Sequence, residues 1–370
     1  MDIPPGNNIG IIAIGRNEGE RLRRCLASAV GRGMPVVYVD SASTDGSPLL
    51  AREIGCEVVD LDMSLPFSAA RARNEGFSRL MRIAPRADYI QFVDGDCEIV
   101  AGWIDAAKLT LDSRPDVAVV CGRRRERFPE RSIYNGLADI EWNTTVGEVK
   151  SCGGDAMMRV AAFQQVEGFN SSIVAGEEPE LCQRFRAAGW KILRIDAEMT
   201  LHDSAMLHFR QWWKRSIRTG YGALDVATRF GGQGLFMKHL KSARRWAVTW
   251  LWTAIGVVVL ALLNACLLAG DFRAGRGVLW VSLKFLLAAA ALILMILPLQ
   301  MARTAWRIRR RARSWPDAAA YGTLTFVGMW ASMIGQRQYL RDRAAGRLAR
   351  MIDYKAAPSK ISTEAPSPLA

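Results

Sequence analysis

From Ile9 to about Ile195, short apolar runs alternate with amphipathic stretches, and this switching of period constrains the fold more than any other feature. Ile9-Gly10-Ile11-Ile12-Ala13-Ile14 reads as a first strand ending in Gly15-Arg16-Asn17-Glu18, and a helix follows with Leu22, Leu26 and Ala29 on one face. Pro35 to Asp40 is a second strand. After Ser41-Ala42-Ser43-Thr44-Asp45-Gly46-Ser47, Pro48 opens another helix in the first turn, where its missing N–H is not needed. Cys56 to Val59 is a third strand, Phe67 to Arg82 a helix, and Tyr89 to Val93 a buried strand. Repeated β-α-β units imply an α/β fold with a mainly parallel sheet and helices on both faces. Ligands in such sheets bind beyond the carboxyl ends of the strands. Asp40 and Asp94 both stand at strand ends and are expected to face one crevice.

Asp94-Gly95-Asp96 leaves the Tyr89 strand. Two carboxylates one residue apart at a strand exit can aim at one point, with the glycine permitting a tight turn. Hard oxygen ligands suit Mg2+ or Mn2+, which binds through one or two carboxylates plus substrate phosphates. The same tripeptide is ordinary turn chemistry, so its neighbours decide its meaning. Val117 to Val120 is a further strand leading into Gly122-Arg123-Arg124-Arg125-Glu126-Arg127. Cys152-Gly153-Gly154-Asp155 comes later, then Gly176-Glu177-Glu178-Pro179-Glu180. This last motif opens a helix with Leu181, Phe185 and Ala188 at helical spacing and Gly189 as its C-terminal cap.

Lys and Arg outnumber Asp and Glu by 49 to 36, a net charge of +13. Much of the excess sits in the last third beside long apolar runs, which favours contact with an anionic membrane over nucleic acid. The seven cysteines are scattered with no Cys-x-x-Cys pair. That argues against a disulfide framework or structural zinc and suits a reducing compartment. The run Ile9 to Ile14 is too short for a signal peptide and follows no basic segment.

The character changes after residue 204. In residues 205–245, Trp212, Trp213, Lys214, Arg215 and Arg218 predict a helix at a membrane interface. Trp246 to Gly270 and Val278 to Leu299 are almost wholly apolar. At about 1.5 Å per residue each can cross a hydrocarbon core of roughly 30 Å, so residues 246–300 predict two transmembrane helices. The arginines that follow belong in the cytoplasm by the positive-inside rule. An even number of crossings then places the N-terminal domain (1–204) at the cytoplasmic face of the inner membrane. Within the basic segment 301–355, Ala318 to Gly335 predicts an interfacial or re-entrant helix, and the tail 356–370 reads as disordered.

Taken in order, five motifs between Ile9 and about His202 resemble those of the inverting glycosyltransferases of family 2. They are Arg16-Asn17-Glu18, Val39-Asp40-Ser41-Ala42-Ser43-Thr44-Asp45-Gly46, Arg73-Asn74-Glu75-Gly76, Asp94-Gly95-Asp96 and Gly176-Glu177-Glu178. The resemblance implies a GT-A fold and a nucleotide-diphosphate sugar as donor. It implies donor contacts from Asn17, Glu18, Asp40, Asp45, Arg73 and Asp94. Asp96, with Asp94 and His202, would hold Mg2+ or Mn2+. Glu178 or Glu177 would be the general base, and Gly153, Gly154 and Asp155 would form the acceptor loop. Ser41 stands where the family commonly has a second Asp, and Glu178 where it usually has Asp. The basic cluster Arg123, Arg124, Arg125, Arg127 and Arg131 is a candidate for a phosphate on a lipid-linked acceptor. Gln211-Trp212-Trp213-Lys214-Arg215 differs in order from the Gln-x-x-Arg-Trp motif of processive synthases, which implies non-processive transfer. The expected acceptor is a saccharide or a lipid-linked molecule in polysaccharide or glycolipid assembly. A polyprenyl-phosphate sugar synthase and an inactive membrane scaffold for export are the competing readings. A dinucleotide oxidoreductase is disfavoured, because no Gly-x-Gly-x-x-Gly follows the first strand.

Overall fold

The computed structural model describes residues 8–31, 33–231, 237–269, 288 and 295–347. At its centre is β1 (Ile9–Gly15), a strand buried along nearly all its length because parallel neighbours flank it on both sides. These are β2 (Val36–Asp40) and β4 (Tyr89–Asp94), and β3 (Glu57–Asp60) extends the sheet beyond β2. Helices α1 (Glu20–Ala29), α2 (Ser47–Ile54) and α3 (Ala69–Ile83) make the crossovers. Register places Gly15 beside Asp40 and Ile14 beside Asp94. The two aspartates therefore flank the exit of one strand, as their strand-end positions imply.

The sheet then changes sense. The short strand β5 (Cys97–Ile99), helix α4 (Trp103–Ser113), strand β6 (Val117–Glu126), helix α5 (Ile133–Trp142) and the two-residue β7 (Gly147–Glu148) follow in the chain. β8 (Ala156–Arg159) pairs antiparallel with both β4 and β6. After α6 (Val160–Gln165) and α7 (Glu177–Ala187), β9 (Lys191–His202) runs parallel to β6 and antiparallel to β5. The order β3-β2-β1-β4-β8-β6-β9-β5 is a mixed sheet with its parallel half at the N-terminal end. Pairing of β5 with β9 sets Cys97 opposite His202, which brings the histidine beside Asp96.

Beyond β9 the chain forms α8 (Phe209–Arg229), α9 (Met237–Ala269), a helical stretch α10 (295–308) and α11 (Trp315–Ala344). Helix α8 is the expected aromatic and basic helix, but its Trp212 and Tyr221 are buried. Trp212 packs with Leu137 of α5 and Leu324 of α11. Glycines permit the close crossing: a Cβ on Gly220 would strike the backbone of Ser332, and one on Gly335 the carbonyl of Ile217. The stretch expected to be an interfacial or re-entrant helix forms part of α11, a continuous helix of 30 residues. Its Gly322, Gly328 and Gly335 face Met301, Trp212 and Ile217, so the glycines serve packing and not a break.

Among the described residues, no helix is long and apolar enough to cross a membrane. The expected first span falls in α9, where Leu251, Trp252, Val258 and Leu262 are exposed. Most of the expected second span and all of the tail 356–370 lie outside the described residues.

Candidate active site

A cavity of about 680 Å³ opens at the carboxyl ends of β1 and β4. Ile14, Gly15, Arg16 and Glu18 form one side, Asp94-Gly95-Asp96 and His202 the floor, and Ala175 to Pro179 the far wall. Arg215, Arg218, Thr219, Gly222 and Ala223 of α8 close the remaining side.

Asp94-Gly95-Asp96 is held by backbone. Gly95 N–H donates to the Ile14 carbonyl at 2.7 Å, and Asp203 N–H donates to the Asp96 carbonyl at 2.9 Å. Gly95 does not have a left-handed φ; a Cβ there would stand 3.1 Å from the Ile14 carbonyl oxygen. Close approach to β1, not the tight turn expected from the sequence, is what requires glycine.

Arg73 is the hub of the site. Leaving α3 at its fifth position, it is almost wholly buried. Its guanidinium lies 2.8 Å from Asp94 Oδ1, 3.1 Å from Glu177 Oε1 and 3.2 Å from Glu178 Oε1, with its carbon 5.4 Å from the Phe169 ring centre. Burial favours deprotonation, but the three carboxylates overcome it and lift the Arg73 pKa above the usual arginine value. Asp94 moves the other way. Burial raises it, yet Arg73 and Arg124 hold it below the ordinary aspartate range.

Glu177 and Glu178 begin α7, where the exposed backbone N–H groups and helix dipole favour negative charge. Gly176, at φ 88°, makes the turn into this helix. Burial and then the Glu177 charge push Glu178 up to about 7, against the attraction of Arg73. A carboxylate tuned to that range is matched to proton transfer near neutral pH.

His202 lies at the Asp96 side of the floor. Its Nε2 is 3.3 Å from Asp96 Oδ2 and its Nδ1 3.6 Å from Glu126 Oε2. The Trp142 ring meets it edge-on, with 4.6 Å between centres. Burial opposes protonation of His202, but Asp96 and then Glu126 raise its pKa to about 9. Glu126 is itself fixed by N–H donors from Phe128, Asn135 and Ser204. A carboxylate behind a histidine that faces another carboxylate is the usual support of a metal-binding imidazole. One ligand atom each from Asp96, Cys97 and His202 lies within 4.8 Å of the others, and all three residues are buried. Hard cations prefer the oxygen and nitrogen donors of this set to the thiol. The floor brings together two carboxylates, Asp94 and Asp96, whose charges oppose each other, beside the His202 imidazole. A divalent cation fits such a floor.

Several expected contacts are engaged with neighbouring protein groups. Asp40 is buried, and its carboxylate accepts from the Tyr38 hydroxyl at 2.9 Å and Ser43 N–H at 2.7 Å. Asn17 accepts from Thr44 N–H at 2.7 Å, and Asp45 accepts from Gly19 N–H at 2.9 Å and from Ser47. Asn17 and Asp45 thus staple the two loops together. Asp155 is fully buried: it accepts from Asp94 N–H at 3.1 Å and the Thr200 hydroxyl at 2.7 Å, and pairs with Arg124 at 2.9 Å. Gly154 is buried beside them, while Gly153 is exposed. A Cβ on Gly154 would lie 2.5 Å from Arg73 Nη2 and 2.8 Å from Asp94 Oδ2. Gly154 and Asp155 of the expected acceptor loop thus help set Arg73 and Asp94.

The basic cluster is similarly engaged. Arg123 pairs with Asp139, Arg124 with Asp155, Arg125 with Glu198 and Arg127 with Glu98, while Arg131 covers the Phe128 ring. Four of the five are thus ion-paired, and Arg124 also lines the cavity. Sequence reasoning missed Glu126, Trp142 and the lining role of Arg215 and Arg218. Only the spacing of the last two on one helix face offered a signal.

Sheet order and cavity position are those of the GT-A fold. The sequence model for Glycosyl transferase family 2 matches residues 11–164, and that for Glycosyl transferase family group 2 matches residues 134–305. The chain belongs to glycosyltransferase family 2. It is 26% identical over 242 residues to a pre-mycofactocin glycosyltransferase of Mycobacterium tuberculosis, covering 61% of this chain and 49% of that protein. It is 28% identical over 188 residues to the succinoglycan biosynthesis protein ExoA of Rhizobium meliloti, covering 48% and 55%. The chain thus spans about half the length of these curated relatives. A mannosyltransferase from Pyrobaculum calidifontis, solved in complex with GDP-Man and Mn2+, shares the fold at a TM-score of 0.55 and 17% identity, over 91% of this chain and 88% of that one.

Proposed function

We propose that the chain transfers one sugar from a nucleotide-diphosphate sugar to an acceptor hydroxyl by a single inverting displacement. The acceptor oxygen forms a bond to the anomeric carbon, the bond from that carbon to the diphosphate oxygen breaks, and the diphosphate leaves with the electron pair. The acceptor's proton passes to Glu178. The observation that carries this reading is the placement of Glu178, with a pKa near 7, in one cavity with Asp94 and Asp96 and on the same guanidinium as Asp94.

Asp96 and His202, with Asp94 alongside, are the residues suited to hold Mg2+ or Mn2+, which when bound would offset charge on the departing diphosphate. Arg73 orients Asp94 and Glu178 towards each other across the reacting centre. Arg16, Glu18 and Phe67 line the side on which the nucleotide would lie, with the Arg16 guanidinium 4.9 Å from the Phe67 ring centre. The GDP-Man and Mn2+ of the Pyrobaculum mannosyltransferase support a donor and cation of this class. The exposed apolar face of α9 and the net charge of +13 support work at the cytoplasmic face of the inner membrane.

Transfer activity should be lost in Asp96→Ala and in Glu178→Gln; wild-type rates in both would sink the proposal. The arginines of α8 favour one competing reading, attack by a phosphate oxygen of a polyprenyl phosphate. A phosphate needs little base catalysis, so Glu178→Gln would then be tolerated while Asp96→Ala would not.

A further inference from the structure

Two free cysteines from distant parts of the chain meet beside the helix that carries Glu178. Cys152 Sγ lies 3.6 Å from Cys182 Sγ, one thiol donating to the other. Cys182 is fully buried on α7, one helical turn after Glu178, so the two side chains share a face of that helix. Cys152 stands at the entry to Gly153-Gly154, and it lines the catalytic cavity. With about 680 Å³ of space, that cavity admits a small reagent to Cys152, while Cys182 is reached only through its neighbour. The contact joins the base helix to the loop whose Gly154 packs on Arg73 and Asp94. Neither thiol has a part in the transfer step.

We infer that Cys152 and Cys182 form an oxidation site, at which hydrogen peroxide reacts with Cys152 and Cys182 then closes a reversible disulfide between α7 and the Gly153-Gly154 loop. The Cys152 thiolate attacks one peroxide oxygen, the O–O bond breaks, and the departing oxygen takes up a proton as water. Cys152 becomes a sulfenic acid, which condenses with a thiol to a disulfide. Cys182 supplies that thiol from its place in contact: its sulfur attacks the Cys152 sulfur, and the hydroxyl leaves as a second water. Two thiols are oxidised and one peroxide is reduced to two waters. The hydrogen bond with Cys182, then burial, holds the Cys152 proton well above the ordinary thiol range. Thiolate is therefore scarce, and the pair yields to sustained peroxide and not to a trace. A covalent bond draws the loop and α7 closer than the thiol contact does. Gly154 has no room to give: a Cβ there would stand 2.5 Å from Arg73 Nη2 and 3.1 Å from Glu178 Oε1. Closing the bond therefore disturbs Arg73, Asp94 and Glu178 together. Formation of the disulfide is independent of the proposed function, on which only its effect on transfer rests.

The test is peptide mapping by mass spectrometry after treatment of the folded full chain with hydrogen peroxide. Cys152 to Cys182 should be the dominant linked pair, at least tenfold over any other, and dithiothreitol should remove it. Cys182→Ala should give no linked pair and should leave Cys152 as a sulfenic acid that dimedone traps. Dominant linkage of another pair, linkage of these two in urea alone, or an unmodified Cys152 in the wild type overturns the inference. The effect on the site is read by calorimetric titration with GDP and with UDP in the presence of Mn2+. The linked chain should bind at least tenfold more weakly than the reduced one and recover after reduction. Unchanged affinity in the linked chain overturns the coupling to Arg73 and Asp94. A reduced chain that binds neither nucleotide refutes the donor reading, and the disulfide map is still decided on its own result.

Discussion

Glu178→Gln preserves the shape of the cavity wall while removing the group that would take the acceptor's proton, and its effects on chemistry and on folding should have opposite signs. General-base catalysis contributes about 10²- to 10⁴-fold, so kcat should fall by that factor, equivalent to roughly 3–5 kcal/mol of barrier. The stability effect follows from the rise from 4.5 to about 7. Because the folded protein binds this proton more tightly than the unfolded chain, the stability it contributes is fully present below pH 4.5 and is lost as pH rises through about 7. At about 1.4 kcal/mol per pH unit, ionised Glu178 costs the folded protein roughly 3 kcal/mol at pH 8. Glutamine avoids that cost. Urea denaturation at pH 8 should therefore find the variant more stable by up to about 3 kcal/mol, with the gap closing towards pH 4.5. The wild-type rate should rise with pH through about 7, and the variant's residual rate should lack that limb. A variant within tenfold of the wild-type kcat, or less stable than wild type at pH 8, would refute the reasoning.

Arg73→Met leaves Asp94, Glu177 and Glu178 facing one another without their shared cation, and should cost about 3–5 kcal/mol in a denaturation experiment at pH 8. Much of that loss should return at pH 5, where a proton can replace the guanidinium; an equal loss at both values would mean that Arg73 matters for packing alone. Gly154→Ala drives a methyl into Arg73 and Asp94, and should cost about 1–3 kcal/mol with a larger proportional loss of activity. Mn2+ at a hundredfold excess over its Kd should stabilise the wild type by about 2.7 kcal/mol in thermal denaturation. Asp96→Asn and His202→Ala should each lose most of that gain; retention of the full shift in both would move the cation elsewhere.

The parallel half of the fold was readable from the sequence because each strand is a short apolar run and each helix announces its start. Ser68 illustrates this: it caps α3 by accepting from Arg71 N–H, one residue after the predicted opening. β6 was harder to see. It runs to Glu126 through three arginines: Arg123 and Arg124 tolerate burial because Asp139 and Asp155 come from distant sequence, and Arg125 pairs with Glu198 at the surface. No local pattern encodes such pairs. The site divides in the same way. Asp94, Asp96, Glu178 and His202 belong to motifs at element ends, whereas the role of Asp155 depends on Thr200 and Arg124, which only the folded sheet brings together. Hydropathy marked the apolar stretch of α9 but carried no information on what it packs against. The partners of α8 were hidden for a related reason: glycines at 220 and 335 read as helix weakeners until their close approach is seen.

That crossing of α8 and α11 makes the last third of the chain part of the catalytic wall. A fragment ending at β9 would retain Asp94, Asp96, Glu178 and His202, yet would lose Arg215, Arg218 and Gly222 from the cavity. The register of the crossing is equally demanding. One residue inserted in α11 before Gly335 would turn the glycine about 100° away from Ile217 and bring a side chain against that carbonyl. Helix α8 would then have to retreat, and the cavity would open on that side. Boundaries drawn for expression, or for comparing substrate ranges between relatives, should therefore keep residues 209–344 attached to the sheet.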